Sequence, residues 1–71
     1  MERTYVRSSA IRAIEYSVES RILRVYFNDG RAYQYHNVPL MNYVAFKAAP
    51  SKGQYYNWQF HNGRFNGVRI S

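Results

Sequence analysis

Seventy-one residues make room for one small domain, with no second core and no deep catalytic cleft. The chain has no cysteine, which excludes a disulfide framework or a thiolate metal site, so the core must come from apolar and aromatic burial; eight Tyr, four Phe and one Trp are available. The formal charge is +6 and unevenly spread: Glu2, Glu15, Glu19 and Asp29 all precede Gly30, whereas Arg31, Lys47, Lys52, Arg64 and Arg69 follow it without a carboxylate among them.

The acid-free second half presents a field of one sign unless a partner neutralises it, and nucleic acid is the obvious polyanion. The competing reading is a soluble basic domain with no such partner. No apolar run is long enough for a transmembrane helix, and Met1–Tyr5 leads into no apolar signal segment. A cytoplasmic protein without membrane contact is the expectation.

Taken in order, residues 1–7 are a polar, basic lead-in that reads as frayed. Ser8-Ser9 then precedes Ala10–Tyr16. That segment fits a helix capped by Ser9, with Ile11 and Ile14 at i, i+3, or a strand carrying a bulge. The strand is preferred, because Tyr16–Ser20 reads as a short connection and three antiparallel strands stabilise a hairpin that is marginal alone.

The central feature is residues 21–35, a predicted β-hairpin. Two runs of β-branched and aromatic residues flank Asp29-Gly30, a strong signal for a two-residue turn. Such a turn sets Asn28 opposite Arg31, Tyr26 opposite Tyr33, and Arg24 opposite Tyr35. Those residues would share one face, and Leu23, Val25, Phe27 and Ala32 the other.

After His36, a helix is predicted from Asn37 or Val38, with Pro39 in its first turn. Leu40, Tyr43, Val44 and Ala48 then fall near one face, with Met41 at its edge and Phe46 elsewhere on the surface. Pro50 ends that helix, and Lys52-Gly53 reads as a loop. Gln54–His61 is predicted as a second short helix, with Tyr56 and Phe60 on one side, Tyr55 and Trp58 on a neighbouring one, and Asn62-Gly63 as its stop. Arg64–Ser71 is a basic tail that either adds an edge strand or stays mobile.

An ordered series within the chain resembles the KTSC domain family: Ser8-Ser9-Ala10-Ile11, Ile14-Glu15-Tyr16, Leu23–Gly30, Tyr33-Gln34-Tyr35-His36-Asn37-Val38-Pro39, then Ala49, Ser51, Gly53 and Tyr55-Tyr56-Asn57. The resemblance covers about residues 6 to 65. Its central mark is the Tyr33/Tyr35 pair followed by Val38-Pro39. The sequence departs from the family where Phe60 and His61 stand in place of an aliphatic residue and an arginine, and where Pro50 interrupts a helix. The resemblance implies a module found at the C-terminus of some lysyl-tRNA synthetases and as a stand-alone protein of bacteria and phages. RNA binding is suspected for it by that association.

The sharpest candidate site is the predicted face of Arg24, Tyr26, Arg31, Tyr33 and Tyr35. Rings on a sheet can stack on unpaired bases while arginines hold phosphates. Alternatively the tyrosines pack beneath the helix after Pro39, since cross-strand aromatic pairs stabilise a sheet without any ligand. Lys52 and Arg64, with Lys47 and Arg69, would form a phosphate-contacting rim. Tyr55, Tyr56, Trp58 and Phe60 read as a stacking platform or a protein-binding patch, or else as core. His36 and His61 match no metal spacing, and no nucleophile elbow, phosphate loop or carboxylate pair is present. No catalytic residue, metal or cofactor is therefore expected.

These readings converge on a single α+β domain over residues 1–71: a three-stranded antiparallel sheet followed by two short helices on one face, with 1–7 as a flexible end and 66–71 as either a flexible end or a final edge segment. The expected function is a non-enzymatic module binding RNA or another single strand. The alternative is a protein-interaction module docking on a host protein, as a monomer or small homo-oligomer.

Overall fold

Alternation in the first half of the chain produces more strands than the hairpin alone. The computed structural model describes residues 1–61 and 63–71. It contains β1 (Glu2–Tyr5), β2 (Ile11–Ser17), β3 (Ile22–Phe27), β4 (Ala32–Tyr35), α1 (Leu40–Ala48) and α2 (Lys52–Tyr56). A π-helical turn (Asn57–His61) continues α2, and β5 (Gly67–Arg69) closes the chain. The strands form one sheet in the order β1-β2-β3-β4-β5, every neighbouring pair antiparallel. The α+β class and the helices on one side are as expected; the sheet has five strands, not three. The two further strands come from the two ends of the chain. Each supplies hydrogen-bond partners to a strand whose backbone would otherwise be an open edge. On the β5 side the ladder reaches past the strand itself, with Ile70 N–H donating to Ala32 O at 2.8 Å and His36 N–H to Asn66 O at 3.2 Å.

β2 is a strand with a bulge. Ile11 lies opposite Phe27 and Ile14 opposite Val25, with the register shifting between Ile11 and Ala13. The extra residue, Arg12, lets Ile11 and Ile14 point to the same face although they are three apart. The helix-like spacing of the two isoleucines is thus the signature of the bulge.

The hairpin is present, but its register differs by one residue from the expected one. Leu23 pairs with Tyr35, Val25 with Tyr33, and Tyr26 with Ala32. The loop has three residues, Asn28 to Gly30: Phe27 N–H donates to Arg31 O at 2.9 Å and Gly30 N–H to Phe27 O at 3.1 Å. Gly30 takes φ +95° while Asp29 is not among the residues with positive φ. A two-residue type I′ turn would force Asp29 as well as Gly30 into the left-handed region, whereas a three-residue loop asks this only of the glycine. The Asp29 carboxylate instead accepts from the Arg31 N–H at 3.0 Å and holds the loop. A slip of one residue reverses the face of every side chain on one strand. Tyr33 and Tyr35 therefore lie with Leu23 and Val25, while Arg24 and Tyr26 lie with Gln34 and Ala32. The expected pairs Asn28/Arg31, Tyr26/Tyr33 and Arg24/Tyr35 do not form.

Both helices cover the face that carries Ile14, Tyr16, Leu23, Val25, Phe27 and Tyr35, all buried. Val38-Pro39 fixes where α1 begins: Val38 N–H donates to Arg21 O at 2.9 Å, and the Tyr16 hydroxyl donates to Val38 O at 2.6 Å. α1 starts at Leu40 with Pro39 as its N-cap, slightly later than expected, and ends before Ala49, whose extended backbone suits the residue preceding Pro50. Of the expected stripe only Tyr43 is buried, and its buried companion is Phe46, which was expected elsewhere on the helix surface; Leu40, Met41, Val44 and Ala48 face outward. Tyr43 stacks on Tyr16 with centroids 4.7 Å apart, and Phe46 meets Phe60 at 5.6 Å and Tyr55 at 5.1 Å. Lys52-Gly53 is the first turn of α2 and not a loop, because the Ser51 hydroxyl caps it by accepting from Gln54 N–H. Tyr56 and Phe60 are both buried, the core alternative among the readings of this cluster. Of the anticipated stop, Gly63 has φ +88°, and Asn62 lies outside the described residues.

Candidate functional site

The register change divides the expected five-residue face between two surfaces on opposite sides of the sheet. Arg24 and Tyr26 are on the side without helices. Tyr33 and Tyr35 are on the helix-covered side, and Arg31 stands at the end of the hairpin loop.

The uncovered side is built from two rows running across the strands. One contains Arg3, Glu15, Arg24, Gln34 and Val68; the other contains Tyr5, Ala13, Tyr26 and Ala32, with Ile70 beside Ala32. Arg3 Nε donates to Glu15 Oε2 at 2.8 Å, and the Tyr26 hydroxyl donates to Glu15 Oε1 at 2.8 Å. Arg24 Nε donates to Gln34 Oε1 at 2.7 Å, and its Nη1 lies 3.9 Å from Glu15 Oε1. The Arg3 guanidinium sits over the Tyr26 ring at 4.6 Å and the Tyr5 ring at 5.5 Å. Partial burial pushes the Glu15 carboxyl up. The hydrogen bonds from Arg3 and Tyr26, with the charges of Arg3 and Arg24, outweigh it and hold the group below the ordinary carboxylate range. Two guanidinium groups thus face one carboxylate, beside two phenol rings, of which Tyr5 is 71% exposed.

Sequence reasoning missed Arg3 and Tyr5, because a polar lead-in was expected there. The available signal was alternation: Arg3 and Tyr5 point one way, Glu2 and Thr4 the other. Glu2 and Thr4 meet α1, where the Tyr43 hydroxyl donates to Glu2 Oε1 at 2.7 Å and lies 3.0 Å from Thr4 Oγ1.

On the helix side, a cleft of about 470 Å³ opens between the β4–β5 edge and the α2–π-turn segment. It is a larger concavity than a chain of this length was expected to hold. Phe27, Tyr35, Phe60 and Phe65 form its walls, and Arg31, Asn57 and His61 its polar margin. Tyr33, half-buried, meets Phe27 edge-on with centroids 6.0 Å apart. The Tyr35 and Tyr56 hydroxyls lie 2.6 Å apart. Burial raises the pKa of both above the ordinary tyrosine value. Gly67 lies opposite Tyr35, whose ring crosses it so closely that any Cβ there would collide with the ring.

The remaining expected residues lie elsewhere. Lys52, in the first turn of α2, directs its ammonium to the Ala49 carbonyl. The Arg64 guanidinium sits 5.7 Å from the Trp58 ring. The one-signed field of the second half is partly offset by acids of the first, with Lys47 paired to Glu2 at 3.3 Å and Arg31 to Asp29 at 2.8 Å. Among the described residues no group of three or more metal-ligating side chains occurs, and no helix is long and apolar enough to cross a membrane.

Comparison with known proteins is consistent across three levels. A family model described as the KTSC domain matches residues 7–65. An uncharacterized protein of Stutzerimonas stutzeri (strain A1501) is 34% identical over 70 residues, spanning 99% of both chains. A lysine–tRNA ligase of Nostoc sp. (strain PCC 7120) is 36% identical over 63 residues, a match that takes in 89% of this chain and 11% of the ligase. The crystal structure of a KTSC domain protein from Yersinia pestis superposes with a TM-score of 0.86 at 34% identity, covering 99% of this chain and 97% of that one.

Proposed function

The chain belongs to the KTSC domain family, and on that footing we propose that it is a small non-enzymatic module that binds single-stranded nucleic acid, RNA foremost, on the uncovered face of its sheet. The observation that carries this reading is the pair of rows on that face: Tyr5 and Tyr26 in one, Arg3 and Arg24 in the next. The Tyr5 ring, 71% exposed, offers a stacking surface to an unpaired base, Tyr26 extends it beneath the Arg3 guanidinium, and both guanidinium groups keep terminal N–H groups beyond their Nε bonds to Glu15 and Gln34. The excess of positive charge favours a polyanion. The match to a segment of a lysine–tRNA ligase, whose substrate is an RNA, agrees with it by association.

Fluorescence anisotropy with short single-stranded RNA, single-stranded DNA and duplex DNA at two salt concentrations tests the reading. Single strands bind preferentially, and affinity falls steeply with salt. Tyr26→Ala weakens binding by about tenfold, as expected for loss of one stacking ring; Arg24→Ala weakens it and flattens the salt dependence, with circular dichroism unchanged. Absence of binding at low salt overturns the proposal.

A second reading, a protein partner, is favoured by one observation: Leu40, Met41 and Val44 form an exposed apolar stripe on α1. Stoichiometric recovery of a protein after nuclease treatment of a lysate, lost on Met41→Glu, would favour this reading over the first.

A further inference from the structure

We propose that the cleft between the β4–β5 edge and the α2–π-turn segment is a second, separate site that takes one nucleotide unit, base against the aromatic walls and phosphate toward Arg31. Three observations carry it. First, the hydroxyls of Tyr35 and Tyr56 make one hydrogen bond to each other. Two hydroxyls have two protons, and one such bond uses one of them. Both residues are more than nine-tenths buried and both line the cleft. The second proton has no acceptor among the described residues, so it is available to an oxygen or ring nitrogen entering from the cleft.

Second, the described lining contains Arg31, His61 and the Asn57 amide but no carboxylate. Arg31 is held by Asp29 through Nε and lies over the Phe27 ring at 5.1 Å; terminal N–H groups beyond these contacts remain for an anion, and Asn57 offers both a donor and an acceptor, as the edge of a nucleobase requires. Third, the walls are aromatic, and Gly53, Gly63 and Gly67, three of the chain's four glycines, lie along them. At Gly53 a Cβ would meet nothing within 4 Å, so the absent side chain keeps space that packing does not use. A concavity of about 470 Å³ is of the size that holds small molecules. Aromatic walls, a hydroxyl donor, an amide edge and a guanidinium together describe a planar, hydrogen-bonding, anionic ligand: a free nucleoside monophosphate or the phosphorylated end of a strand.

Titration of the labelled protein by NMR with AMP, UMP, phenyl phosphate, inorganic phosphate and a triuridylate carrying a 5′- or 3′-phosphate separates these possibilities. Shifts at Arg31, Asn57 and Tyr56 are expected with the mononucleotides, with the phosphorylated strands, or with both. The first outcome identifies a free nucleotide, the second a strand end. Phenyl phosphate and inorganic phosphate should bind about tenfold more weakly or less. Gly53→Leu, at a helical position with room for the side chain, should abolish binding while the fold is retained. Tyr56→Phe should weaken binding by about tenfold through loss of the donated proton. Tyr26→Ala should leave this site unchanged. Equal binding of phenyl phosphate, binding that survives Gly53→Leu, or no shift at the cleft with any ligand would overturn the proposal. Strand binding lost in Tyr26→Ala but not in Gly53→Leu, without cleft shifts, would remove this site and leave the open-face reading standing.

Discussion

Glu15 shows how much one side chain can organise on a small sheet. Its carboxylate receives Arg3 and Tyr26 and faces Arg24, so a single acid orients both cations and one ring of the open face. Because its pKa is held below the ordinary value in the folded state, the unfolded chain takes up its proton first as the solution is acidified. The stabilisation is complete above the ordinary carboxylate pKa, about 4, and is lost as pH falls through the folded value. Urea midpoints measured between pH 7 and pH 3 should therefore fall more steeply for the parent protein than for Glu15→Gln. Glu15 was legible in the sequence as one acid among four, but its role was not, since Arg3 and Tyr26 reach it only across β1–β2 and β2–β3 pairings.

At the scale of elements, α1 illustrates why helical periodicity alone misassigned a face. Leu40, Tyr43, Val44 and Ala48 look like a stripe, yet the sheet and α2 approach from the side of Tyr43 and Phe46. Aromatic partners decide this: Phe46 has Tyr55 and Phe60 to pack on, whereas Leu40 and Val44 have solvent. Phe46→Ala should cost about 3–5 kcal/mol in chemical denaturation, and Val44→Ala within about 0.5 kcal/mol. A large loss for Val44→Ala would restore the periodic assignment. The hairpin teaches a related lesson. Its existence and place were legible from Asp29-Gly30 and the flanking β-formers. Its register was not, because two- and three-residue loops share that dipeptide and differ only in whether Asp29 must take positive φ.

Across the whole molecule, the helices sit on one face of a five-stranded sheet, and this separates the two proposed ligand surfaces. It also buries the Tyr35–Tyr56 pair, with a consequence at high pH. Both phenols are held neutral by burial in the fold, with pKa values above the ordinary value of about 10. Their stabilisation is intact below that value. Above it the unfolded chain ionises first, and stability falls as pH rises toward the folded values. Absorbance titration at alkaline pH should show at least two of the eight tyrosines ionising only with cooperative unfolding. Non-cooperative ionisation of all eight would show that the pair is not buried.

Composition and local pattern were enough for the α+β class, the hairpin, the bulged first strand of the core, the helix stop at Pro50 and the resemblance to the KTSC domain, because each depends on residues close in sequence. Strand number and the faces of the hairpin depended on contacts between distant segments. β1 and β5 are strands because β2 and β4 have backbone groups to satisfy; the sequence leaves an edge strand open for the tail that holds β5 but does not announce β1. Tyr33 and Tyr35 pack on the helix-covered side, the alternative to an open ligand face, because one glycine took the left-handed conformation and the preceding aspartate did not. In a sheet, where side chains alternate with a period of two, that single residue of register moved the tyrosines to the covered face and left Arg24 and Tyr26 on the open one.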